Sequence, residues 1–181
     1  MISKFHQKYP KIEFIFFEGT YDEIIEWLET GVIDIGFVVH QHLDPKLHVV
    51  PLIRDPMVVA FPKGHRFEKL EAIDVQDLEH EPFIMPKGIY RAQVEDIFKQ
   101  AKITPMIRFK VHDYNTVANM VQEELGITIG PELFLKNQQK IRVRPLKQMH
   151  WRCVALACPS IQCASPAVQA FLGVAQGAFE K

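Results

Sequence analysis

Residues 12–39 read IEFIFFEGTYDEIIEWLETGVIDIGFVV, and this stretch decides the fold class. The opening IEFIFF is a near-continuous apolar run, the pattern of a strand buried on both faces. It ends at Glu18-Gly19. Thr20, Tyr21, Asp22 and Glu23 then match a capping box, in which a hydroxyl receives the third backbone NH of a helix and a carboxylate reaches back. Ile24, Ile25 and Leu28 supply the inner face of that helix, and Gly31 is a left-handed stop. Residues 32–39 (VIDIGFVV) read as the next strand. Strand, capped helix and strand in this order predict a βαβ unit with parallel strands and a right-handed crossover.

Downstream the pattern alternates again. Residues 47–53 and 56–61 are two extended runs separated by Arg54-Asp55, and Pro62-Lys63-Gly64-His65 breaks the pattern. Residues 70–78 form a short amphipathic piece, and 82–85 (PFIM) a small strand. A helix follows over 89–101, with Tyr90, Val94, Ile97, Phe98 and Ala101 at helical spacing. Residues 106–111 are a strand, and Asn115 or Thr116 caps a helix lined by Val117, Met120 and Val121 and closed by Gly126. Residues 127–129 form a brief strand, after which Gly130-Pro131-Glu132 opens a helix with proline at its first position. Strands at 141–146 and 151–157 and a helix opened by Ser165-Pro166 complete the chain. Two βαβ-like blocks result, one before about residue 62 and one over about 82–146.

The 181 residues carry 21 Lys+Arg against 22 Asp+Glu, a formal net charge of −1. Phosphate binding needs a basic surplus or a clustered basic stripe, so this chain is not expected to bind nucleic acid by itself. No apolar run has the length of a membrane span, and Lys4, Lys8, Lys11 and Glu13 interrupt the first twenty residues where a signal-peptide core would stand. Cys153, Cys158 and Cys163 are an odd number that cannot all pair within one chain, which fits a reducing, cytoplasmic setting.

Several segments, in order, resemble the effector-binding (regulatory) domain of LysR-type transcriptional regulators. They are FHQKYPKIEFIFFEGTYDEI, LETGVIDIGFV, LHVVPLIRDPMVVAFPKGH, DVQDLEHEPFI, HDYNTVANMVQEELGITIGPE and SPAVQAFL, and together they run from about residue 5 to 172. The step from Leu28 to Asp34 and the stretch 121–131 are the most specific. The resemblance implies an α/β, two-lobed fold like that of type 2 periplasmic binding proteins, each lobe a mixed sheet flanked by helices, the two joined by two crossover segments. Residues 1–64 and 149–181 would form lobe I and 65–148 lobe II. It further implies that a small-molecule effector is held between the lobes and that the domain self-associates as a homodimer or tetramer. The surfaces near 2–9 and 116–124 would meet in that assembly. Promoter DNA would be contacted only through an N-terminal winged helix-turn-helix that this sequence does not contain. The strand that precedes FHQKYP in the family pattern is missing as well, so this sequence reads as a fragment.

Ligands of open α/β sheets sit at the carboxyl ends of strands, where helices begin. A helix start presents unpaired NH groups and about half a positive charge, which suits a carboxylate or phosphate. Four starts qualify here: Gly19-Thr20-Tyr21, Asn115-Thr116, Gly130-Pro131, and the loop Lys87-Gly88-Ile89 with Arg91. Each has a plainer reading. Thr20, Asn115 and Thr116 serve equally as simple caps, and Arg91 as a solvated charge on a helix face.

Catalytic readings find little support. The sequence has no G-x-S-x-G elbow, P-loop or H-E-x-x-H. The x4 spacing of the cysteines lacks the C-x2-C pairing of zinc sites. His40-Gln41-His42 reads as a surface turn and Glu123-Glu124 as a solvated helix face. No enzyme activity, cofactor, metal or membrane partner is expected. A solute-binding protein of a transport system would share the fold, but no export signal is visible.

Overall fold

The computed structural model describes residues 1–39 and 46–179; His40-Gln41-His42 lie outside them. The elements are α1 (Ile2–Lys8), α2 (Tyr21–Glu29), β1 (Gly36–Val39), β2 (His48–Pro62), β3 (Pro82–Pro86), α3 (Ile89–Ala101), β4 (Met106–Val111), α4 (Tyr114–Gln122), β5 (Thr128–Pro131), α5 (Glu132–Leu135), β6 (Ile141–Pro145), β7 (Trp151–Cys158) and α6 (Pro166–Phe179). The amphipathic piece 70–78 holds one 3-10 turn, Val75–Leu78, and another, Arg66–Lys69, precedes it. Two compact units emerge, Met1–Arg54 with Arg152–Lys181, and Asp55–Trp151.

In the first unit β7 lies between β1 and β2, and β1 pairs with it antiparallel, Gly36 opposite Ala157 and Val39 opposite Val154. One face buries Phe5, Val50, Leu52, Leu156 and Cys158 with Val168, Phe171 and Leu172 of α6. Leu28 of α2 packs with Val38, Leu47, Ala155 and Ala157.

The first βαβ unit expected from sequence does not form among the described residues. Residues 12–17 are irregular and have no ladder partner, and β1 begins only at Gly36 and runs antiparallel to its neighbour. Ile12 and Phe14 reach the core of the unit, while Ile15 is 79% exposed, Phe16 69% and Phe17 51%. An apolar run supplies the side chains of a buried strand but not the neighbouring backbone that would pair with it.

The second βαβ block does form. β3 and β4 pair in parallel, Pro82 opposite Met106 and Pro86 opposite Val111, with α3 as the crossover. β3 is also bonded on its other side, Ile84 N donating to Ile127 O at 2.8 Å. Phe83, fully buried, meets Phe98 of α3 edge-on with ring centroids 4.9 Å apart. Met57, Val59, Phe61, Phe67, Ile73 and Leu78 extend this core. Val58, Ala60 and Ile84 form a second one with Val117, Ala118 and Val121 of α4.

β2 is one strand of 15 residues, where the sequence suggests two runs parted by Arg54-Asp55. Its later half pairs antiparallel with β5 (Val58 opposite Gly130) and with β6 (Ala60 opposite Val143), and the earlier half lies beside β7. The change of neighbour falls near Arg54-Asp55, so the two charges mark a change of sheet partner rather than a turn.

Candidate functional site

The four helix starts differ in what already occupies them. At α2 the capping box is complete. The Thr20 backbone NH donates to Glu23 Oε2 at 2.6 Å and the Thr20 hydroxyl to the same oxygen at 2.7 Å, while Glu23 N donates to Thr20 Oγ1 at 3.3 Å. These bonds, the backbone one first and then the hydroxyl, hold the Glu23 carboxyl below its usual range. Asp22 adds a second carboxylate in the same turn. Thr20 therefore spends its proton on its own helix, in a turn that already carries negative charge. Gly19 keeps room for the Trp27 ring, since a Cβ there would come within 2.6 Å of Cη2. The Tyr21 hydroxyl is pushed up, first by burial and then by Asp22.

At α4 the cap is Asp113, where sequence suggests Asn115 or Thr116. Asp113 Oδ2 accepts from Thr116 N at 2.7 Å and from the Thr116 hydroxyl at 2.7 Å. Asn115 Nδ2 approaches Oδ1 at 3.5 Å. Asparagine and threonine thus serve the cap from inside the first turn. The Thr116 hydroxyl, followed by its backbone NH, holds the Asp113 carboxyl below the ordinary range.

Gly130 and Pro131 end β5. Pro131 is the cap of α5 rather than its first helical residue, because its backbone stays extended and paired with Met57. α5 is only four residues long, and the buried Asp55 carboxylate accepts from Leu133 N at 3.0 Å. Gly130 is a packing glycine: a Cβ there would fall on the hydroxyl of Tyr114, which donates to Ile129 O at 3.2 Å.

α3 is the exception. It begins at Gly88 (φ 67°) with no side-chain cap and no acidic residue in its first turn. Lys87 precedes it, its NH donating to Val111 O at 2.8 Å, which ties the carboxyl end of β3 to that of β4. Ile89 is the first helical residue. Arg91 is half exposed and paired with Glu95 at 2.7 Å, an i,i+4 contact along the helix. Tyr90 at the start of α3 and Tyr114 at the start of α4 bring their rings to 4.7 Å, and Phe134 of α5 lies 5.1 Å from Tyr114. In the second unit, then, the Lys87 NH bonded to Val111 and the contact of the Tyr90 and Tyr114 rings bring the starts of α3 and α4 together at the carboxyl ends of two parallel strands, the place where such sheets receive ligands.

Sequence reading missed Asp113 and the Tyr90–Tyr114 pair. The signal for the first is an aspartate three residues before Thr116; tyrosines at the opening of successive helices signal the second. No grouping of three or more His, Cys, Asp or Glu side chains suited to a metal ion occurs among the described residues. Cys158 is buried, Cys153 half-buried and Cys163 exposed, and all three are free.

The chain is similar to known proteins over nearly its whole length. A family model described as the LysR substrate binding domain matches residues 1–180. The uncharacterized HTH-type transcriptional regulator YvbU of Bacillus subtilis is 35% identical over 182 residues, which take in 99% of this chain and 62% of that protein. The chain thus spans less than two thirds of that relative's length. Among solved structures, the effector binding domain of QuiR in complex with shikimate superposes with a TM-score of 0.86 at 24% identity, over 99% of this chain and 88% of that one. The Synechocystis CcmR regulatory domain in complex with 2-PG gives 0.90 at 19% identity, over 99% and 89%. With the family model covering nearly every residue and the fold agreeing throughout, the chain belongs to the LysR substrate binding domain family.

Proposed function

We propose that this chain is the ligand-sensing domain of a LysR-type transcriptional regulator and takes up a small anionic metabolite without transforming it. The observation that carries the anionic class is the start of α3: of the four candidate starts it alone has no carboxylate, and Lys87 stands before it. Carboxylates at the other three offset the local positive field that an anion would seek. QuiR and CcmR, each described with a small molecule bound, support the reading, and so does YvbU, a transcriptional regulator. That relative also favours a cytoplasmic sensor over a transport solute receptor. No helix among the described residues is long and apolar enough to cross a membrane.

Promoter DNA is contacted through a winged helix-turn-helix outside these residues, and the domain works as a dimer or tetramer. The effector shifts the population of assembled states by its differential affinity for them. Titration calorimetry against a panel of small carboxylates and phosphorylated acids tests the sensing claim. At least one acid binds, and Lys87→Ala weakens it about tenfold, as loss of a charge-assisted bond does. Full affinity in Lys87→Ala moves the anion site elsewhere. Binding of neutral analogues only, or of nothing in the panel, sinks the reading.

A further inference from the structure

A row of contacts in the second unit runs from the start of α3 to the residue at which β2 enters that unit. Tyr90, in the first turn of α3, brings its ring to 4.7 Å from that of Tyr114, which opens α4. Tyr114 meets Phe134 of α5 at 5.1 Å with the ring planes at 80°. Phe134 follows directly on Leu133, whose NH donates to Asp55 Oδ1 at 3.0 Å. Asp55 is the first residue of the second unit, and Arg54 before it belongs to the first.

Two features make this row a path. Tyr114 is fixed at its tip: its hydroxyl donates to Ile129 O at 3.2 Å, and a Cβ at Gly130 would fall on that hydroxyl. A buried ring held in this way passes a push on one side to its other neighbours, because close-packed interiors repack in discrete steps and do not compress. The start of α5 is in turn held twice by β2, through Asp55 and through Met57, which pairs with Pro131, the cap of that helix. The Asp55 carboxylate is 1% exposed, and a buried carboxylate depends on its hydrogen bonds, so a shift of Leu133 is felt there.

We infer that Tyr90, Tyr114 and Phe134 couple the start of α3 to Asp55, so that a group settling at that helix start is sensed where β2 passes from one unit to the other. What is transmitted rests on the anion reading of the α3 start; the coupling itself needs no ligand. By linkage it is reciprocal, and a change at Asp55 alters affinity at α3.

A double-mutant cycle on the full chain, without ligand, tests the coupling. Tyr90→Leu and Asp55→Asn are made singly and together, and unfolding of the second unit is read by hydrogen exchange at amides of β3. Sites that share no partner contribute additively. Here the unfolding constant of the double variant departs about fivefold or more from the product of the single effects. Phe134→Leu, which breaks the middle of the row, removes that departure. In Tyr90→Leu alone, exchange at the Leu133 amide rises beyond what the lost stability of the unit accounts for, a readout that decides the case should Asp55→Asn not fold. Additivity, an unmoved Leu133 amide, or a departure that persists with Phe134→Leu each overturns the inference. For an acid that calorimetry shows to bind, Asp55→Asn changes the affinity about fivefold; unchanged affinity overturns the regulatory role. Coupling present with no acid bound fails the sensing reading alone.

Discussion

The chain writes the same strand–helix–strand pattern twice, and only the second copy becomes a parallel βαβ unit. Around α3, β3 and β4 lie side by side, and β3 is bonded on its other edge to Ile127. Around α2, residues 12–17 reach the core through Ile12 and Phe14 but have no strand beside them among the described residues, and β1 pairs with the distant β7. Helix α2 forms regardless, since its capping box is closed within four residues. Helices are specified locally; a strand needs a neighbour that sequence pattern alone does not name.

The largest expected effect separates the two blocks by truncating one aromatic in each. Phe83 is fully buried against Phe98, so Phe83→Ala costs about 3–5 kcal/mol, lost transfer energy plus a cavity. Phe16, mostly exposed, stacks on Phe14, so Phe16→Ala stays within about 0.5 kcal/mol. Urea unfolding followed separately in each unit, by hydrogen exchange at amides of α3 and α6, gives both values. A cost for Phe16→Ala comparable to that for Phe83→Ala would mean residues 12–17 are packed as a strand in solution, and the contrast would fall.

Next come the glycines. A Cβ at Gly130 lands on the Tyr114 hydroxyl, inside a cluster whose members Val117, Ala118 and Leu135 are buried. Gly130→Ala therefore displaces the ring and costs about 1–3 kcal/mol, with part of the loss recovered in Gly130→Ala/Tyr114→Leu. At Gly19 the obstacle is the far edge of Trp27 on the exposed start of α2, which swings aside, so Gly19→Ala costs well under about 1 kcal/mol. Thermal unfolding of the three variants checks the order; equal losses at both glycines would show the two helix starts to be packed alike.

What sequence reveals of the fold and site follows the same division. The capping box at Thr20 and Glu23, the crossover helix 89–101 and the Ser165 opening of α6 are all local, and all are found, Ser165 Oγ accepting from Val168 N at 3.3 Å. Residues 12–17 are misread because apolar content speaks of burial and is silent on pairing. Among the site candidates, Glu23 and Asp113 lie three residues from the groups they serve, so their claim on α2 and α4 is in principle readable. Asp55 reaches Leu133 across 78 residues and no spacing rule finds it. Gly130 reads in sequence as part of a helix start, yet its constraint comes from Tyr114, which only the folded chain places beside it.

The smallest effect compares the two capped starts by pH. Glu23 and Asp113 are both depressed below the ordinary carboxylate range by bonds to their anionic forms. A carboxyl depressed in the folded state lends stability that is fully present above its unfolded pKa and is lost as pH falls through the folded one. Both contributions are therefore intact at neutral pH and fade only below about pH 4, where free carboxylates protonate. The losses differ in kind. Protonated Glu23 keeps a carbonyl oxygen for the Thr20 NH, because that bond and the hydroxyl bond share one oxygen and leave the other to carry the proton. Asp113 uses Oδ2 for both Thr116 bonds and Oδ1 for Asn115, so protonation at either oxygen costs a contact. Carboxyl chemical shifts followed down the pH scale should both have midpoints below the usual range. The Asn115 side-chain amide should lose its contact with Oδ1 as Asp113 titrates, while the Thr116 and Thr20 amides, each served by the other oxygen, keep their protection. An Asp113 midpoint in the ordinary range would detach the carboxylate from the start of α4, and with it the reason for favouring α3 as the place where an anion binds.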